Sequence, residues 1–146
     1  MKPLRYAPAA VRILLGLTFF VFGLNGFLHF LPQPPMPAAA GGFLGGLASA
    51  PYFFPLLKGV EVAVGASLLA NRFVPLALIV VAPIVVNIVA FHVFLAPSPL
   101  MVAFLLASEV YLAWVYCSAF RGVLAARTAP AGRVVAGTAG ATAVAE

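Results

Sequence analysis

Apolar residues run in four long blocks along this chain, covering residues 10–31, 53–70, 74–95 and 100–120. Short stretches of proline, glycine and polar residues separate them. Each block is close to the ~20 residues a helix needs to cross about 30 Å of hydrocarbon. Continuous runs of this length do not fit the alternating, ~10-residue strands of a membrane barrel. The pattern predicts an all-α fold, a polytopic membrane protein built as a four-transmembrane-helix bundle.

The breaks agree with that division. Pro32, Pro34, Pro35 and Pro37 close the first block and open a long connection. Asn71-Arg72 forms a tight polar turn, and Ala96-Pro97-Ser98-Pro99 a short uncharged one. Pro75 falls in the first turn of its helix, where a missing N–H matters least. Pro83 falls inside the third span and predicts a kink near Ile79, with a freed carbonyl that neighbouring helices cover. Residues 37–51 are rich in Ala and Gly, with Phe43, Leu44 and Leu47, and are too short to span. They read as a short extracytoplasmic helix between the first two spans, interfacial or re-entrant; the rival is a mobile loop. The spacings Gly41xxxGly45 and Gly42xxxGly46 carry little weight outside a spanning helix.

Composition narrows the setting. Hydrophobic residues make up 64% of the 146 and charged residues 8%, against roughly 25% charged in soluble domains. A chain this short exposes much of its surface, so the fitting solvent is a lipid bilayer. The net charge of +5 would suggest nucleic acid in a soluble protein. Here Lys2, Arg5 and Arg12 precede the first span, Arg72 divides the second from the third, and Arg121, Arg127 and Arg133 follow the fourth. The other two connections carry no charge. All seven bases therefore lie on one side of a four-span chain. They read as topology signals, with both termini cytoplasmic and no nucleic-acid partner.

The N-terminus has features of a secretory signal, with Ala38-Ala39-Ala40 as a cleavage site. Its apolar block is longer than a signal core and four prolines intervene, so an uncleaved span is expected. Residues 128–146 are expected to form a disordered cytoplasmic tail. The single Cys117 excludes a disulfide framework and a CxxC pair within the chain; it reads as a structural thiol facing lipid or the bundle.

Against this background the intramembrane polar residues stand out. Lys58, Glu61 and Glu109 lie within apolar runs, where a charge is costly unless it meets a partner, a ligand or an ion path. Asn25, His29, Asn87 and His92 join them. By helical spacing, Thr18, Phe22, Asn25 and His29 share a face, as do Lys58, Glu61 and Gly65, then Pro83, Asn87 and Phe91, then Glu109, Ala113 and Tyr116. Lys58 and Glu61 can pair at i,i+3. His92 is offset from Asn87 by about 140°, so the two cannot face one point. Asn25, Lys58, Glu61, Asn87 and Glu109 are expected around one pocket in the outer half of the bilayer. Glu61, beside Lys58, is the ionised carboxylate and Glu109 the candidate proton carrier.

Each residue has a plainer reading. Lys58–Glu61 can be a neutralised structural pair, and Asn25 and Asn87 interhelical hydrogen-bond glue. His29 and His92 fit interfacial polar roles; with no HxxxH or HExxH spacing, no metal site is expected. Trp114 and Tyr116 read as packing residues. Phosphate loops, nucleophile elbows and dinucleotide fingerprints are missing from the sequence.

The segments RILLGLTFFVFGLNGFLHFLP, YFFPLLKGVEVAVGASLLANRFVPLAL and APIVVNIVAFHVFLAP resemble the DoxX family of small bacterial membrane proteins. The resemblance covers roughly residues 11–120. It implies a four-helix bundle in the bacterial cytoplasmic membrane, and related DoxD-type proteins are associated with a thiosulfate:quinone oxidoreductase. The expectation is then a redox-associated subunit that binds a quinone or similar lipophile beside a redox partner protein. Lys58 would donate to a carbonyl, Asn25 and Asn87 would orient the ligand, and Glu61 or Glu109 would handle protons. The single cysteine sets the chain apart from thiol-based membrane oxidoreductases. Two other readings remain open. One is a non-enzymatic assembly or binding protein with structural polar residues. The other is proton-coupled transport of a small solute, which four helices would support only as a homo-oligomer.

Overall fold

The computed structural model describes residues 6–32 and 35–127. The expectations for Lys2, Arg5, Pro34, Arg133 and the tail at 128–146 lie outside the described residues. Within them every regular element is helical: α1 (Ala7–Leu28), α2 (Ala38–Ala48), α3 (Phe53–Leu69), α4 (Val74–Phe94) and α5 (Pro99–Val115), then a short 3₁₀ turn at Cys117–Phe120. Two helices, α1 and α4, are long and apolar enough to cross a membrane on their own. A third such span arises if α2 and α3, which meet at a 95° bend, are taken together. The last helix, α5, is apolar but only 17 residues long.

Boundaries moved where backbone chemistry overrides hydropathy. Helix α1 starts before residue 10, with Pro8 in its first turn, where proline is already set for a helix. It stops before residue 31, because His29 turns left-handed (φ 51°) and donates its N–H to the Asn25 carbonyl at 2.9 Å. The fourth block does not stay α-helical to residue 120. After Tyr116 the chain tightens, with Ala119 N–H donating to the Tyr116 carbonyl at 2.9 Å in the i→i+3 manner of a 3₁₀ turn. The packing role expected for Trp114 is corrected, because it lies about 200° around α5 from buried Leu112. It lies in the last turn of α5 and is 71% exposed, whereas Tyr116 packs on the core. Helix α4 runs on through Pro83.

The segment expected as either short helix or loop is a helix, α2. It reaches from the start of α3 toward the far end of α4, where the Phe43 and Phe91 rings lie 6.0 Å apart. Its glycine pairs support no tight packing, since a Cβ at Gly42, Gly45 or Gly46 would meet open space.

The other four helices close a ring, α1 on α3, α3 on α4, α4 on α5 and α5 back on α1. The closest approach is between α1 and α3, which run antiparallel. A Cβ at Gly23 would come within 2.9 Å of the Val62 nitrogen, and one at Gly65 within 2.7 Å of the Phe20 Cα. Only hydrogen fits at either place, so the two backbones nearly touch. At one end of the ring Arg12 is buried and donates to the carbonyls of Leu68 and Leu69. These are among the last carbonyls of α3, beyond the reach of a full i→i+4 ladder; that of Leu68 also accepts the Asn71 N–H at 3.2 Å. A cation there also suits the negative end of the helix dipole. Arg72, Arg121 and Arg127 lie at or beyond the same end, and all three are exposed. The apolar core, from Leu15 and Leu68 through Leu78 and Val81 to Leu112, fills this basic half of the ring.

Candidate functional site

Above the core, toward the charge-free end, the four ring helices leave a pocket of about 230 Å³. That volume is a little below the roughly 300–1,000 Å³ of most small-molecule sites, so it suits a ring-sized group better than a whole lipid. Its wall is largely apolar, with Phe19 and Phe22 from α1, Ile88 from α4, and Met101 and Leu105 from α5. Four polar side chains interrupt it: Thr18, Lys58, Glu61 and His92.

Lys58 and Glu61 come from α3. Their i,i+3 spacing brings Nζ to 2.8 Å from Oε2, as the sequence predicted. Glu61 is 3% exposed and the Lys58 side chain 23%, so the pair is set into the wall with the lysine nearer the opening. The packing of α1 holds it there. The Lys58 stem crosses Gly26, and the Glu61 Cβ sits against Gly23.

His92 comes from α4. That helix turns Val74, Ala77, Leu78, Val81 and Val85 toward the ring centre, and the same stripe continues through Ile88 to His92. Its Nδ1–H donates to the Ile88 carbonyl at 2.9 Å, which leaves Nε2 as the ring's acceptor. Thr18 likewise spends its hydroxyl proton on the Leu14 carbonyl at 2.9 Å. The wall therefore presents lone pairs at Thr18, Glu61 and His92, and N–H donors at Lys58.

The remaining sequence candidates lie elsewhere. Asn25 is buried, but its Oδ1 accepts the Leu31 N–H at 2.7 Å and so fastens the chain leaving α1. His29 is exposed at the α1 terminus. Asn87 is exposed on the outer face of α4. The predicted offset of about 140° between Asn87 and His92 is resolved in favour of His92, because the buried valine and leucine stripe turns residue 87 outward. Glu109 is half-buried on α5, one turn beyond Leu105, and its Oε2 is buried without a hydrogen-bond partner among the described residues. Cys117 is exposed.

Sequence reasoning missed the site's supports. Arg12 reads in the sequence only as a topology signal, Gly65 only as a neighbour on the Lys58–Glu61 face, and Gly23 and Gly26 carry no signal. Their spacing was visible, but which glycines face another backbone depends on how α1 and α3 dock. In comparisons with protein-family models, curated proteins and solved structures, nothing matches this chain.

Proposed function

We propose that this chain is a DoxX-like, four-span protein of the bacterial cytoplasmic membrane that binds the head group of a quinone-type lipophile in the ring pocket. One observation carries the reading: four helices converge on an apolar, aromatic-walled pocket into which the Lys58–Glu61 pair is set. Lys58 would donate to a ligand carbonyl. Thr18, Glu61 and His92 supply acceptors, which suits the hydroxyls of the reduced, quinol form. Phe22 lines the pocket and is 45% exposed at the ring surface, a route by which an isoprenoid-like tail leaves toward lipid. Thr18 and His92 take the orienting role that the sequence suggested for Asn25 and Asn87. As a redox-associated subunit, the protein would present the head group to an electron-transferring partner, with Glu61 exchanging its protons.

The orientation follows from charge. Arg12, Arg72, Arg121 and Arg127 gather at one end of the ring, and neither residues 29–52 nor residues 95–98 contain Lys, Arg, Asp or Glu. The positive-inside rule then puts both termini in the cytoplasm and the pocket in the outer half of the bilayer. A second reading has its own support. Lys58 and Glu61 already satisfy each other, as a purely structural pair in an assembly protein would.

Native mass spectrometry of protein extracted gently from its own membrane, with lipid analysis of what co-purifies, separates the two. A stoichiometric quinone that is lost in His92→Leu and in Lys58→Met/Glu61→Gln supports the binding site. Bulk phospholipid alone, unchanged by those substitutions, overturns it in favour of the assembly reading.

A further inference from the structure

Helix α4 carries a second pattern on the face turned away from the ring. Leu76, Val80, Pro83, Asn87, Ala90 and Phe94 succeed one another at intervals of four, three, four, three and four residues, and all six are exposed. That spacing keeps them on one face of the helix, broad enough to pack against a second helix. Its centre is polar. Asn87 makes no side-chain hydrogen bond among the described residues. Pro83, on the same face, has no N–H to give the Ile79 carbonyl.

An unpaired amide facing hydrocarbon is costly. An asparagine both donates and accepts, so it is complementary to its own copy across a two-fold axis.

We infer that the protein forms a parallel homodimer through the outer face of α4, with Asn87 paired to Asn87 of a second copy. The inference rests on the membrane-spanning part of the reading above and not on its ligand. The pocket residues Ile88 and His92 lie on the other side of α4, so the dimer leaves the pocket free.

The test uses the full chain in nanodiscs, with mass measured by light scattering, and disulfide cross-linking in native membranes in a Cys117→Ser background. A dimer is expected, with Ala90→Cys cross-linking to itself. Val110→Cys, exposed on α5, is expected not to. Asn87→Leu should weaken the dimer roughly tenfold, and Asn87→Gln should retain part of it. A monomer at all protein densities overturns the inference. So does a dimer indifferent to Asn87→Leu, or Ala90→Cys captured by a different protein. Loss of quinone binding with the dimer intact sinks only the ligand reading. Release of the protein from membranes by alkaline carbonate sinks the membrane reading and the dimer together.

Discussion

Gly26 of α1 lies beneath the aliphatic stem of Lys58 on α3: a Cβ at position 26 would stand 2.6 Å from the Lys58 Cδ. The pocket lysine is thus positioned by the absence of a side chain on a different helix. Gly26→Ala is expected to push the Lys58 stem aside at a stability cost below about 1 kcal/mol, because a flexible chain can yield, yet to lower ligand occupancy. Gly65→Ala meets the Phe20 backbone, which cannot yield, and should cost about 1–3 kcal/mol. Denaturant titration in detergent beside a ligand-occupancy measurement checks the contrast. Equal stability losses at the two glycines would refute it.

The Lys58–Glu61 pair should behave asymmetrically. Lys58→Met leaves a nearly fully buried carboxylate without its cation and is expected to cost about 3 kcal/mol, the low end for a buried pair because the lysine is partly exposed. Lys58→Met/Glu61→Gln removes both charges and should recover most of that loss. Unfolding midpoints of the single and double variants decide it. A double variant no more stable than the single one would show that the pair's geometry, and not charge balance, holds the wall.

Arg12 is expected to act as a clasp between α1 and the end of α3. Arg12→Met removes charged hydrogen bonds to the Leu68 and Leu69 carbonyls and should cost about 2 kcal/mol. Arg12→Lys should restore part of this, since one ammonium can reach one carbonyl but lacks the guanidinium fork. If Arg12→Met left the melting temperature unchanged, the residue would be a topology signal alone.

Topology can be read by thiol labelling. In intact cells a membrane-impermeant maleimide should leave the native Cys117, and a cysteine placed at Asn71, unmodified until the membrane is opened. A Ser98→Cys variant in a Cys117→Ser background should label at once. Labelling of Ser98→Cys and Asn71→Cys from the same side would rule out α4 as a span and with it the four-span count.

Much of the secondary structure was legible because apolar runs and prolines act locally. The turn at residues 71–72, the Pro75 start of α4 and the i,i+3 meeting of Lys58 with Glu61 depend only on neighbours within a helical turn. The ends of α1 and α5 were less legible. The left-handed turn at His29 and the tightening after Tyr116 occur inside sequence that is still apolar, so hydropathy carried no sign of them.

By itself, the sequence determined the all-helical character, the charge-free connections at residues 29–52 and 95–98, and the small set of polar residues available for chemistry. These follow from composition and from periodicities of three to four residues. Which of those polar groups meet was decided by tertiary packing. Asn25 and Asn87 have the same chemistry and similar surroundings in the sequence, yet one is buried fastening the exit of α1 and the other faces outward from α4. The difference arises from the rotation of each helix about its own axis, and that rotation is set by glycine contacts and core side chains on other helices. No local pattern encodes it.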